Sequence, residues 1–127
     1  MMGMIENRNV PVGNPRTSGG WGECGVFINS RANYHKIVGV GELASVVIPI
    51  CNKYKVVVPS FEIRPTKKRL WGKAYVTKNM IAFYLPIRLG CIYHELAHHI
   101  AWSLYKDRGH NSTFKWILQR ILYDNHI

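Results

Sequence analysis

The chain has 127 residues, 47% of them apolar and 19% charged, which suits one folded domain and excludes a disordered or low-complexity polymer. Lys and Arg total 17 against 7 carboxylates, a net charge of +10 that points to a polyanionic partner, either nucleic acid or an anionic surface. Cys24, Cys51 and Cys91 contain no C-x-x-C pair, which excludes a cysteine zinc ribbon and argues against a disulfide framework. No apolar run reaches the roughly 18 residues of a membrane span, and the first ten residues carry Glu6 and Arg8 in place of an apolar signal core. The expectation is a cytoplasmic protein with no membrane partner.

Residues 1–25 are rich in Gly, Pro and Asn and read as an arm or loop, with Trp21 and Phe27 available to anchor its end. Residues 26–127 form the expected single domain. Within 26–50, residues 42–50 read as either a strand or a short helix, and the β-branched run Val46, Val47, Ile48 favours the strand. Residues 54–63 read as a second strand around Val56, Val57 and Val58, with Pro59 marking an edge or a break. After the basic connection Lys67-Lys68-Arg69 come two strands, 71–76 and 80–85, around a turn at Thr77, Lys78 and Asn79. Trp71 is expected in the core.

The period then changes. Residues 92–105 predict a helix with an apolar stripe of Tyr93, Leu96, Ala97, Ile100 and Leu104. Asn111, Ser112 and Thr113 offer N-cap chemistry for a last helix whose apolar face is Phe114, Ile117, Leu118, Ile121 and Leu122. Arm, strands, helix, turn, helix is an α+β order.

The first of these helices carries His94-Glu95-Leu96-Ala97-His98, an H-E-x-x-H motif. Histidines four apart project from one helix face and can reach one ion. Glu95 lies about 80° round from their mean direction, beside the ion without ligating it. A shuffled chain of this composition would hold about 0.01 such motifs. The chemistry implied is hydrolysis by a zinc-activated water, with Glu95 as general base. A third ligand is needed. His110, Asp107, Asp124 and His126 are the downstream candidates. His110 is preferred because imidazole is a good zinc donor and a chain reversal before the last helix can bring it back. Position 104 is Leu104 and no Glu follows Glu95, which excludes the metzincin and gluzincin patterns. Cys91, three residues before His94, would close the site into a structural one if it ligated. His99 lies about 120° off the metal face and reads as a solvated side chain.

The run His94-Glu95-Leu96-Ala97-His98-His99, then Gly109-His110, then Phe114 resembles the SprT-like family of zinc metalloproteases. The hairpin ahead of it, with Gly72-Lys73-Ala74 and Ile81, is similar to the family's lead-in. The resemblance covers 71–118. It implies a zincin-like fold: a small antiparallel or mixed sheet on the H-E-x-x-H helix, followed by a second C-terminal helix. It also implies zinc held by His94, His98 and His110, Glu95 as general base, and Phe114 as a packing residue. The family includes proteases that act on DNA-attached proteins, which fits the basic charge. By analogy with zincins, 80–85 is expected to be the sheet edge that accepts an extended peptide. The competing reading is a zinc-stabilised basic module that binds nucleic acid without catalysis, using Lys67-Lys68-Arg69, Trp71 and Tyr75.

Overall fold

The structure, a computed structural model, describes residues 20–22 and 24–127. Its axis is helix α3, Leu89–Tyr105. Ile92, Tyr93, Leu96, Ala97, Ile100 and Ala101 are buried along it, and so are Glu95 and His99, so the helix is enclosed over most of its circumference. Leu104 of the expected stripe is 45% exposed, because the last turn runs past the elements that cover the rest. Lys106 ends the helix in the left-handed conformation, φ 55°, with its amide bonded back to the carbonyl of Trp102.

Short helix α1, Arg31–Tyr34, lies against the first turn of α3. A Cβ at Gly90 would meet the Tyr34 ring at 2.5 Å, so only glycine permits that approach. The next element overturns the strand expected over 42–50. A 3-10 turn, Val40–Glu42, leads into helix α2, Leu43–Tyr54, with Pro49 inside it. Leu43, Val47, Ile50 and Cys51 are its buried residues, at helical rather than alternating spacing. Burial of that face outweighs the strand preference of the valines, and Ile48 and Pro49 face outward.

The strand expected over 54–63 is also shorter. Tyr54 still belongs to α2, Val56 to Val58 stand outside any ladder, and strand β3 runs only over Ser60–Arg64. The Val57 carbonyl accepts a side-chain hydrogen bond instead, and Pro59 has no amide to offer. Strand β4, Gly72–Tyr75, and strand β5, Met80–Tyr84, form the expected antiparallel pair, with Ala74 opposite Ile81. A 3-10 turn, Val76–Lys78, and Asn79 at φ 54° connect them. The sheet order is β3, β5, β4, with β3 parallel to β5. Thus β5 is the centre of a mixed sheet, not its edge. Ile81, Ala82, Phe83 and Tyr84 are all buried, the continuous apolar pattern of a strand covered on both faces. The edge beside α3 is β4.

Helix α4, Ser112–Asp124, follows its sequence pattern. Asn111 caps it by accepting from the Phe114 amide at 3.1 Å, and Phe114, Ile117, Leu118, Ile121 and Leu122 are buried against α3 and the rest of the core. Of the stretch 1–25, residues 1–19 and 23 lie outside the described residues. Gly20–Trp21 pairs antiparallel with Phe27–Ile28. Gln119 of α4 holds the second of these segments from both sides: the Phe27 amide donates to its Oε1 at 2.6 Å, and its Nε2 donates to the Phe27 carbonyl at 2.9 Å. Buried apolar residues from Val26 to Ile127 form one cluster in this α+β fold. Among the described residues, no helix is long and apolar enough to cross a membrane.

Candidate metal centre

Helical spacing sets His94 and His98 one turn apart on α3, with ring centroids 5.1 Å apart. Past Lys106 the chain turns at Gly109, φ 82°, and returns toward that face. Asn111 ties the return together: it caps α4, and its Nδ2 donates to the Arg108 carbonyl at 3.2 Å. The adjacent His110 ring then meets both α3 histidines. Its Nε2 stands 3.1 Å from His94 Nε2 and 3.2 Å from His98 Nε2. Phe114 is the floor of the cluster. Its ring stacks on His98 at 4.2 Å and 24°, and meets His94 at 5.0 Å and His110 at 4.9 Å edge-on. The packing role read for Phe114 is therefore direct contact with all three imidazoles.

A neutral imidazole has one N–H and one bare nitrogen. His110 Nε2 therefore satisfies both partners only through a shared, three-centre contact, whereas a cation between the rings would take all three lone pairs. Burial, and then the neighbouring ring of His110, lowers His94 to about 4. Burial, and then the rings of His94 and His110, does the same for His98, also to about 4. Both are neutral at neutral pH, the state a metal requires.

One further donor reaches the cluster. Cys24 Sγ and nitrogens of His94 and His110 all lie within 4.8 Å of one another, a group that could hold a metal ion. His98 is outside that group and meets it through His110, at 3.2 Å. Cys24 carries no spacing signal toward a motif some seventy residues away. Only the docking of the 20–28 segment on α4 reveals it.

Cys91 is not in the group. It is buried under β4, where a Cβ on Gly72 would lie 2.8 Å from its Sγ. Burial, and then the Glu95 carboxylate, pushes its thiol far up. Asp107, Asp124 and His126 do not join either. Asp124 pairs with Lys53 and, at 3.6 Å, with Arg120. His99 is 1% exposed rather than solvated. It donates from Nε2 to the Val57 carbonyl at 2.7 Å, because α3 has protein on that side also.

Glu95 is 7% exposed, between α3 and β4. Burial pushes its carboxyl up to about 7, while a hydrogen bond from the Ala74 backbone pulls the other way. A Cβ on Gly72 would stand 3.1 Å from Glu95 Cγ, so glycine lets β4 close onto the carboxylate. An open cleft of about 490 Å³ is lined by residues 72–78, His94, Glu95, His98 and 108–110. Lys73, Lys78 and Arg108 make it electropositive, and among the described residues Glu95 is the single carboxylate in its lining. Trp71, just before β4, is 43% exposed and not core; the Arg88 guanidinium covers its ring at 4.2 Å. No known protein family, curated protein or solved structure matches the chain.

Proposed function

We propose that this chain is a zinc-dependent metallopeptidase with a zincin-like fold, similar to the SprT-like proteases, with His94, His98 and His110 as ligands and Glu95 as general base. The observation that carries it is the convergence of three imidazole nitrogens at 3.1 and 3.2 Å beside a buried glutamate in an open cleft. The donor set fits zinc. Nitrogens about 2.0–2.1 Å from a tetrahedral ion stand about 3.3–3.4 Å from each other, close to the spacings found.

When bound, zinc acidifies water and polarises an acyl oxygen. The chain's own residues supply the rest. Glu95 takes the proton of the attacking water and gives it to the departing amine. Its enclosure against β4 would keep the carboxylate from swinging away from that position. Strand β4 is a sheet edge that lines the cleft, so an extended peptide could lie along it as a further strand. Lys73, Lys78 and Arg108 favour acidic segments of substrate.

The test is metal content together with turnover of a protein substrate, with and without DNA. About one zinc per chain is expected. Glu95→Gln should keep that zinc and lose about 10²–10⁴-fold in turnover. A fully active Glu95→Gln variant rejects the mechanism. The nucleic-acid reading draws on the exposed Lys67, Lys68 and Arg69. Steeply salt-dependent DNA binding, abolished by neutralising those three, would support it alongside catalysis. Zinc without turnover on any protein, in wild type and in a Cys24→Ser variant alike, would leave that reading alone standing.

A further inference from the structure

We propose that Cys24 is a fourth ligand that caps the metal site, so that the chain is latent until the loop carrying it lifts away. This rests on the metal-site reading above and adds a regulatory residue to it. Its Sγ lies within 4.8 Å of donor nitrogens on both His94 and His110, the two histidines at opposite ends of the cluster in sequence. Three protein ligands leave a zinc site open to water and substrate, and a fourth closes it.

The loop is built to hold a thiol there. The Gly22 amide donates to the Val26 carbonyl at 2.6 Å and the Gly25 amide to the Gly22 carbonyl at 3.1 Å, which holds Gly22, Gly25 and Val26 together at a tight turn. Gly25 takes φ 78°, a conformation that favours glycine. The two ends of the turn are held unequally. On the far side, Val26 and Ile28 are buried, Gln119 clamps both polar groups of the Phe27 backbone, and the Asn29 amide donates to the Ile127 carbonyl at 2.8 Å. On the near side, among the described residues, Gly20–Trp21 has a two-residue ladder, a 3.4 Å bond from the Arg31 guanidinium to the Trp21 carbonyl and an edge-on contact between the Trp21 and Phe27 rings at 5.3 Å, and Trp21 is largely exposed. Gln119 stands on α4, the helix whose Phe114 floors the site, so one element sets both the ligands and the cap. The loop can hinge at Phe27 while its Trp21 side peels off.

Capping has a defined chemistry. As Sγ binds, the thiol gives its proton to solvent. On release, water takes the vacated position and a proton returns to sulfur. Cys51 and Cys91 cannot serve in its place, since both are buried away from the cluster with thiols pushed up by that burial.

The experiment is the absorption spectrum of the full chain loaded with cobalt(II), wild type beside Cys24→Ser and Cys91→Ser. Wild type should show the visible bands of bound cobalt and a near-ultraviolet sulfur-to-cobalt band. Cys24→Ser should lose the sulfur band, keep the visible bands, and turn over substrate faster in its zinc form. Cys91→Ser should keep both sets of bands. Visible bands without a sulfur band in wild type, or a sulfur band that survives Cys24→Ser, overturn the cap and leave the three-histidine site intact. Absence of all cobalt bands in wild type overturns the metal site itself and the cap with it.

Discussion

Two faces of helix α3 carry histidines under different rules. On one, His99 is 1% exposed and donates to the Val57 carbonyl at 2.7 Å. On the other, the Nε2 atoms of His94 and His98 face the Nε2 of His110 at 3.1 and 3.2 Å. The first is an ordinary buried polar group with a backbone acceptor, satisfied by protein. The second is a set of ring nitrogens that face one another, the arrangement that the proposed metal site would fill. Neighbours in sequence, His98 and His99 differ less in burial than in what their nitrogens face. Partner identity, more than exposure, separates a histidine that packs from one that ligates.

The largest expected effect breaks the second face. His110→Ala removes the residue that touches both others, and zinc content should fall from about one per chain to none, with turnover lost. The metal-free variant should melt close to metal-free wild type, because His110 is exposed and its removal opens no core cavity. A variant that still holds one zinc would show that His94, His98 and Cys24 suffice, and would move the catalytic ligand set away from His110.

Gly72→Ala acts between the faces, through β4. The new methyl meets Cys91 Sγ at 2.8 Å and Glu95 Cγ at 3.1 Å, so strand and carboxylate must separate. Overpacking of this kind costs about 1–3 kcal/mol. A shift of about 1 Å in the base costs about 10²-fold in turnover. Zinc should remain. Calorimetry and turnover, measured together, check both numbers. Unchanged turnover would mean that Glu95 does not work from its position against β4.

His99→Leu is the complementary change. It removes the hydrogen bond to the carbonyl of Val57, an exposed residue, at about 0.5–1.5 kcal/mol of stability. Zinc content should not change. Denaturant unfolding and metal analysis of the same preparation decide it, and loss of zinc at native stability would erase the distinction between the two faces.

Legibility followed the same division. The H-E-x-x-H spacing, the Asn111 cap and the 3.6-residue stripe of α4 are local signals, and all appear in the fold as read. The failures share a cause. Val46, Val47 and Ile48 look like strand until burial against the core selects the Leu43, Val47, Ile50, Cys51 face of a helix. Residues 80–85 look like an edge until β3 pairs with their far side. His99 looks solvated when α3 is imagined with one covered face, and Cys24 has no signal at all until Gln119 docks its loop. Each depended on contacts between segments distant in sequence, which no window along the chain contains.

The cysteines repeat the comparison at the smallest scale, in reactivity. Cys51 lies in α2 with no exposure, and burial raises its thiol to about 11. Folded protein therefore keeps this proton where unfolded chain, with an ordinary thiol near 8.5, has lost it. The unfolded state binds fewer protons in that window, so the contribution of Cys51 to stability is present below about 8.5 and is lost as pH rises toward about 11. Stability of wild type should fall more steeply across that window than stability of Cys51→Ala. At pH 8, iodoacetamide should leave Cys51 untouched until the chain unfolds, with or without metal. Cys24 should be protected by zinc and alkylated once a chelator removes it. Mass mapping of the labelled peptides reads both at once. Equal labelling of Cys24 in the two states would mean that its sulfur never meets the metal, whereas a chelator that exposes Cys51 as well would mean that zinc holds the whole core together.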